Sequence, residues 1–296
     1  MKRLLSIALP MVLWAGGVGD ARALEVALIG DNARQAAFQQ LAREFNAPVA
    51  QAASVQRAST ADRKIVFTVA KAGRDPVAVA NQLLTADLAL LVVDATQGPL
   101  PIVREHVIVA RQAHVPLLAI YFAQTKELLS TAPEDAAELL ELEEMEMREL
   151  VGVYTMGGDS LSVFFDSPVG QVYRSKSGEG TPALRRLLAS GLPSRPAPGN
   201  LQQVSEFAGA FYLLTEPEGR ERNRAISVVN GTQLDVWMAG SLRPAVVRTK
   251  GTHAPGDSPD FTLKLPTPAT ATEGMRLLLL RNGMVVGVGV VAQIVH

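Results

Sequence analysis

Cysteine is absent, which excludes disulfides, thiolate nucleophiles and thiolate metal sites. Histidine is scarce: His106, His114, His253 and His296 lie scattered, without the spacing of a ligand set, so no metal is expected. The net charge of −1 supplies no basic field, and no nucleic-acid partner is expected. A further gap is local. Gly30-Asp31-Asn32-Ala33-Arg34-Gln35-Ala36-Ala37 follows an apolar strand at 24–29 and precedes a helix-like run, where a phosphate-binding turn would lie. Such a turn needs a second glycine, a lysine for the β- and γ-phosphates and a Ser/Thr hydroxyl for Mg²⁺. Those three places hold Gln35, Ala36 and Ala37, so neither GTP nor GDP is expected as a cofactor.

What is present divides the chain in two. The first 23 residues read as a signal peptide: Lys2-Arg3, an apolar stretch at 4–18 containing Pro10, then Ala21-Arg22-Ala23 for cleavage before Leu24. The stretch is short for a membrane span, so no span is expected after cleavage and the mature protein is expected in the periplasm or outside the cell. Cleavage removes three cations and one anion, taking the charge from −1 to −3. From 24 to 191 apolar runs alternate with helical spacing. Strands are expected at 24–29, 65–69, 88–93 and 115–121, and helices at 78–84, 102–113 and 133–153. Alternation of this kind implies a parallel sheet with helices on both faces. In the long acidic helix, Leu139, Leu140, Leu142, Met145 and Leu150 are expected to face inward, and Glu138, Glu141, Glu144 and Glu149 to face water.

Residues 192–203, rich in proline with Gly199 and polar residues, read as a linker outside both cores, open to proteolysis near Arg195. From 204 to 296 short apolar runs at 210–214, 225–229, 245–248, 261–265, 275–280 and 285–295 are separated by turn signals. Asn230-Gly231, Pro255-Gly256-Asp257 and Asn282-Gly283 are the clearest, and the pattern implies a small antiparallel β-barrel.

Three blocks carry a family likeness. Ala89-Leu90-Leu91-Val92-Val93-Asp94-Ala95-Thr96-Gln97-Gly98-Pro99 leads to Arg104-Glu105-His106 and Arg111-Gln112; Glu138-Leu139-Leu140-Glu141-Leu142 continues through Glu144-Met145-Glu146-Met147-Arg148-Glu149-Leu150; and residues 255–295 include Gly287-Val288-Gly289-Val290-Val291-Ala292. These blocks resemble the elongation factor Tu family, GTP-dependent carriers of aminoacyl-tRNA. The resemblance implies a degenerate GTPase-like α/β domain followed by a barrel like that family's third domain. The chain between is too short for the second domain, which helps to hold the aminoacyl end of tRNA. The departures are systematic. Of the family's phosphate-binding turn only Gly30 survives. Its Asp-Cys-Pro-Gly-His stretch reads Thr68-Val69-Ala70-Lys71-Ala72. Its guanine-reading Asn-Lys-Cys-Asp reads Ala123-Gln124-Thr125-Lys126, and its Ser-Ala-Leu loop reads Asp166-Ser167-Pro168. Phosphate lysine, magnesium ligand, catalytic histidine and base-reading carboxylate are all missing.

Rival chemistries have thinner support. Gly158-Asp159-Ser160-Leu161-Ser162 spells the opening block of GDSL-type esterases, but Gln293, not aspartate, stands three places before His296, and a serine without an oriented base is not activated. Asp87 and Asp94 flank one strand; a turn role for Asp87 is favoured over an acid/base pair. His106 reads as a helix-surface or interface residue. The sequence therefore assigns no catalytic, cofactor-binding or metal residue. It implies an exported pseudo-GTPase, not an enzyme, that binds a protein partner through the Arg104–Arg111 helix face or the barrel. The alternatives are a divergent GTP-binding translation factor and an esterase.

Overall fold

The computed structural model describes residues 22–169, 180–195, 197, 199–218 and 225–295. Most of the signal segment, Pro196, Pro198, His296 and the side chain of Asp159 lie outside the described residues.

The first unit is built on a seven-stranded sheet. Its strands are β1 (Leu24–Gly30), β2 (Val49–Gln51), β3 (Val55–Ser59), β4 (Ile65–Ala70), β5 (Leu88–Asp94), β6 (Leu117–Ala123) and β7 (Val163–Phe165), in the order β2-β3-β4-β1-β5-β6-β7. The run from β4 to β7 is parallel, and the β2–β3 hairpin adds an antiparallel edge. Every residue of β5 is buried because both faces are covered. Ala89, Leu91 and Val93 enter one apolar cluster, and Leu88, Leu90 and Val92 the opposite one, as the two-residue period of a strand requires. Helices α1 (Arg34–Glu44) and α6 (Gly180–Ala189) cover one face. The other face carries α2 (Pro76–Leu83), α3 (Pro101–Gln112), α4 (Thr125–Thr131) and α5 (Ala136–Val153).

The second unit is a closed antiparallel barrel in the order β10-β11-β8-β13-β12-β9. Its strands are β8 (Gln202–Leu213), β9 (Gln233–Met238), β10 (Ser241–Arg248), β11 (Asp260–Ala271), β12 (Arg276–Arg281) and β13 (Met284–Ile294). Asn282 and Gly283 join β12 to β13 with φ of 53° and 74°, the paired left-handed residues of a type I′ hairpin. The run expected at 225–229 contributes only an isolated bridge from Val228 to His253, and β9 stands where no strand was expected.

Two further expectations are corrected. In α5 the buried positions are Ala136, Leu140, Glu144, Met147 and Val151, spaced four, four, three and four apart. Leu139, Leu142 and Met145 face solvent at 37, 48 and 58% exposure. Glu144 is inside because Arg148, one turn on, is inside with it, at 2.7 Å. The linker does not stay clear of the cores either. Leu192 packs against the α1–α6 cluster, and half-buried Arg195 donates to the carbonyls of Leu83 (2.7 Å), Ala86 (3.1 Å) and Ala113. The units also share apolar side chains: Trp237, Leu278, Leu280 and Val285 of the barrel join the cluster containing α2 and α3. Gln112 Nε2 donates to the carbonyls of Leu277 (2.7 Å) and Gly289 (3.2 Å), and Arg276 Nη1 donates to that of Arg111 (2.9 Å).

Candidate functional site

In an open parallel sheet, ligands bind beyond the carboxyl ends of the strands, where the winding reverses. Here that point lies between β1 and β5, and the turn after Gly30 sits on it. Gly30 has φ +107°, and a Cβ there would lie 2.1 Å from the Val92 carbonyl oxygen, so only glycine fits this close approach. Its N–H donates to His106 Nδ1 at 2.7 Å. His106 is fully buried on α3, which corrects its expected surface position: it fixes the turn from beneath.

Two buried side chains fill the crevice. Asp31, 1% exposed, accepts hydrogen bonds from the backbone N–H groups of Ala33 (2.8 Å) and Asp94 (2.7 Å). Its carboxylate thus occupies the N-terminal approach to α1 and bridges the ends of β1 and β5, where an anionic ligand would find its donors. Arg34, 5% exposed, folds back so that Nη1 donates to the carbonyls of Gly30 (3.1 Å) and Asp31. The loop at 71–74 closes over it: a Cβ on Gly73 would lie 2.0 Å from Arg34 Nη2. Burial dominates the electrostatics of both groups. It pushes the Asp31 carboxyl up, against the pull of its two N–H donors, and pushes the Arg34 guanidinium down, opposed by Asp31. Two further N–H groups of the turn are also used: Arg34 N donates to the Asp31 carbonyl and Gln35 N to that of Asn32, both at 3.3 Å.

The neighbouring loops are equally self-contained. Asp94 Oδ1 accepts from Thr96 N (2.9 Å) and Thr96 Oγ1 (2.6 Å), and Oδ2 from Gln97 Nε2 (3.0 Å). Glu143 of α5 lies beneath Gly98, with its Oε2 buried and without a hydrogen-bond partner. Burial first, then the charges of Asp94 and Glu146, pushes its pKa up to about 8. Asp166 ties the ends of β6 and β7 together by accepting from Gln124 N (2.8 Å), Thr125 N (3.2 Å) and Thr125 Oγ1. No group of three or more His, Asp or Glu among the described residues is arranged to hold a metal.

The rival residues separate. Asp87 accepts from Glu25 N at 2.9 Å and pairs with Arg22 at the entry to β5, while Asp94 ends that strand, roughly 20 Å away at 3.3 Å per residue. They form no acid/base pair. Ser160 sits in a single 3-10 turn, and its Oγ donates to the Gly157 carbonyl at 2.8 Å. Arg148 clamps that turn through the carbonyls of Gly158 (3.3 Å) and Leu161 (3.0 Å). Asp31, Arg34 and Gly73 are the residues that sequence reasoning missed. Asp31, two places before the N-cap Ala33 of α1, was the available signal; nothing local announces that Gly73 meets Arg34.

No protein-family model matches the chain.

Proposed function

We infer that this protein is a divergent relative of the elongation factor Tu family whose nucleotide site has been replaced by its own side chains, and that it acts outside the cytoplasm as a non-catalytic protein-binding module. The observation that carries the reading is the filled crevice. Asp31 takes the backbone donors a phosphate would use, and Arg34 fills the space beside them. The strand order, with β1 central and β4 and β5 on either side, supports the family resemblance. Export rests on Lys2-Arg3, the apolar stretch and Ala21-Arg22-Ala23.

A binding role gains support from α5. Leu139, Leu142 and Met145 form an exposed apolar strip beside Glu138, Glu141, Glu146 and Glu149, and clustered exposed apolar side chains mark interaction surfaces. The Arg104–Arg111 helix suits docking less well. Most of α3 is buried, and Arg104 Nη1 donates to the Pro217 carbonyl at 2.6 Å.

Calorimetry with Mg²⁺ and GTP tests the central claim, with no heat of binding expected. A micromolar dissociation constant, lost on substituting Asp31 or Arg34, would overturn it. N-terminal sequencing of protein from fractionated native cells tests export, with Leu24 expected as the first residue.

A further inference from the structure

On the side of α3 away from the crevice, a cleft of about 360 Å³ opens between the sheet unit and the barrel, within the range of small-molecule sites. One wall is apolar, made by Leu84, Trp237 and Met275. Trp237 is held in place by its Nε1–H, which donates to Asn81 Oδ1 at 2.8 Å. The other side carries Arg195, Arg276 and His114. Arg195 is a fixed cation, locked by the three carbonyls it serves. Arg276 spends one N–H on the Arg111 carbonyl, out of the five a guanidinium carries. Burial, followed by the charges of Arg276 and Arg195, holds His114 below its ordinary range, so its ring is neutral near pH 7 and adds no third positive charge. Gln112 lines the floor, and its buried Oε1 has no hydrogen-bond partner. The anions near the arginines do not line the cleft centre: Glu273 is exposed at the rim, and Asp87, which is not a lining residue, accepts from Glu25 N at 2.9 Å.

We propose that this cleft binds a small amphipathic monocarboxylate, with its carboxylate on Arg276 and its hydrocarbon body against Leu84, Trp237 and Met275. A guanidinium fork pairs a planar carboxylate through two parallel hydrogen bonds. Two positive charges facing an apolar wall favour an anion with an apolar tail over a cation or a neutral alkane. A phosphate fits less well, because its further oxygens would face hydrocarbon without donors. The inference does not depend on the nucleotide crevice being closed.

Octanoate titrated into the full chain tests it by calorimetry, together with Trp237 emission read in a Trp14→Phe background, where Trp237 is the only tryptophan. The expected result is saturable one-to-one binding with a change in Trp237 emission, and no binding of octylammonium. Arg276→Met should weaken binding about tenfold or more, the loss of a charge-assisted pair. Leu84→Trp should abolish it by filling the wall while leaving both arginines in place. Thermal melts identify a variant that fails to fold, and the other variant then decides. The proposal is overturned by the absence of saturation up to about 5 mM octanoate, far weaker than a specific site requires, by equal binding of octylammonium, or by unchanged affinity in a folded variant. Tighter binding of a short peptide ending in leucine would assign the cleft to a chain terminus and likewise overturn it.

Discussion

Replacing Glu144 with alanine is the sharpest structural test, because the sequence pattern and the structure assign that side chain opposite surroundings. The pattern puts it in water, where substitution falls within about 0.5 kcal/mol of neutral. In the structure its side chain is 8% exposed, that of Arg148 is 13% exposed, and Oε1 takes bonds from Arg148 Nε at 2.8 Å and Nη2 at 2.7 Å. Arg148 Nη1 also holds the carbonyls of Gly158 and Leu161. Alanine would take from a buried guanidinium the carboxylate that accepts from both its Nε and its Nη2. Breaking one side of such a pair costs about 3–5 kcal/mol, and in a chain of this size each kcal/mol moves the melting temperature by about 2–4 °C. Glu144→Ala should therefore melt about 6–20 °C below the parent, while Glu141→Ala, exposed one turn earlier on the same helix, should match it. Glu144→Gln keeps the shape and one acceptor, and should lose roughly 1–2 kcal/mol. Urea unfolding of the three variants beside the parent is the assay. Equal midpoints for Glu144→Ala and Glu141→Ala would refute the buried pair.

Glu143 binds its proton more tightly in the fold than in the unfolded chain, so its stabilisation is full below pH 4.5 and is lost as pH rises toward 8. Glu143→Gln should therefore gain on the parent between pH 5 and 8.5, by about 1–2 kcal/mol once solvent screening is allowed for; urea midpoints that shift in parallel at both pH values would contradict this. Gly73→Ala should cost about 1–3 kcal/mol by pushing against Arg34, and Arg34→Ala should restore part of that loss, a coupling readable in a double-mutant cycle. Ser160→Ala should leave the fold and any partner capture unchanged, and turnover of short p-nitrophenyl esters that this substitution abolishes would instead establish an esterase.

The elements legible in the sequence are those whose composition leaves no choice. β5 and β6 are unbroken apolar runs that only a strand covered on both faces can bury, and Asn282-Gly283 states its own hairpin. β2, β3 and β9 were not legible: Val49–Gln51 is wholly exposed, and in β9 the alternation of Leu234, Val236 and Met238 is obscured by Trp237, which is apolar on the opposite face and packs against the sheet unit. α5 misleads because it carries two rows at helical spacing. The leucine-rich row looks inward by hydropathy, whereas the row containing Glu144 is inside because Arg148 travels with it. The lack of phosphate-binding residue types in the turn after Gly30 was legible. The filling of the crevice was not, since Arg34 and Gly73 meet only through the pairing of β1 with β4 and the loop beyond it.

A carboxylate tethered two residues from the N–H it caps is present at an effective concentration that a free anion does not reach in solution. Asp31 is such a resident competitor for the donors of Ala33 and Asp94. Placing a lysine at 36 and a hydroxyl at 37 would add attraction for phosphate without vacating the seat. The turn would become open to exchange only when Asp31 is replaced as well, by a residue too short to reach back. Building nucleotide affinity into this turn is therefore a problem of eviction before it is one of recognition.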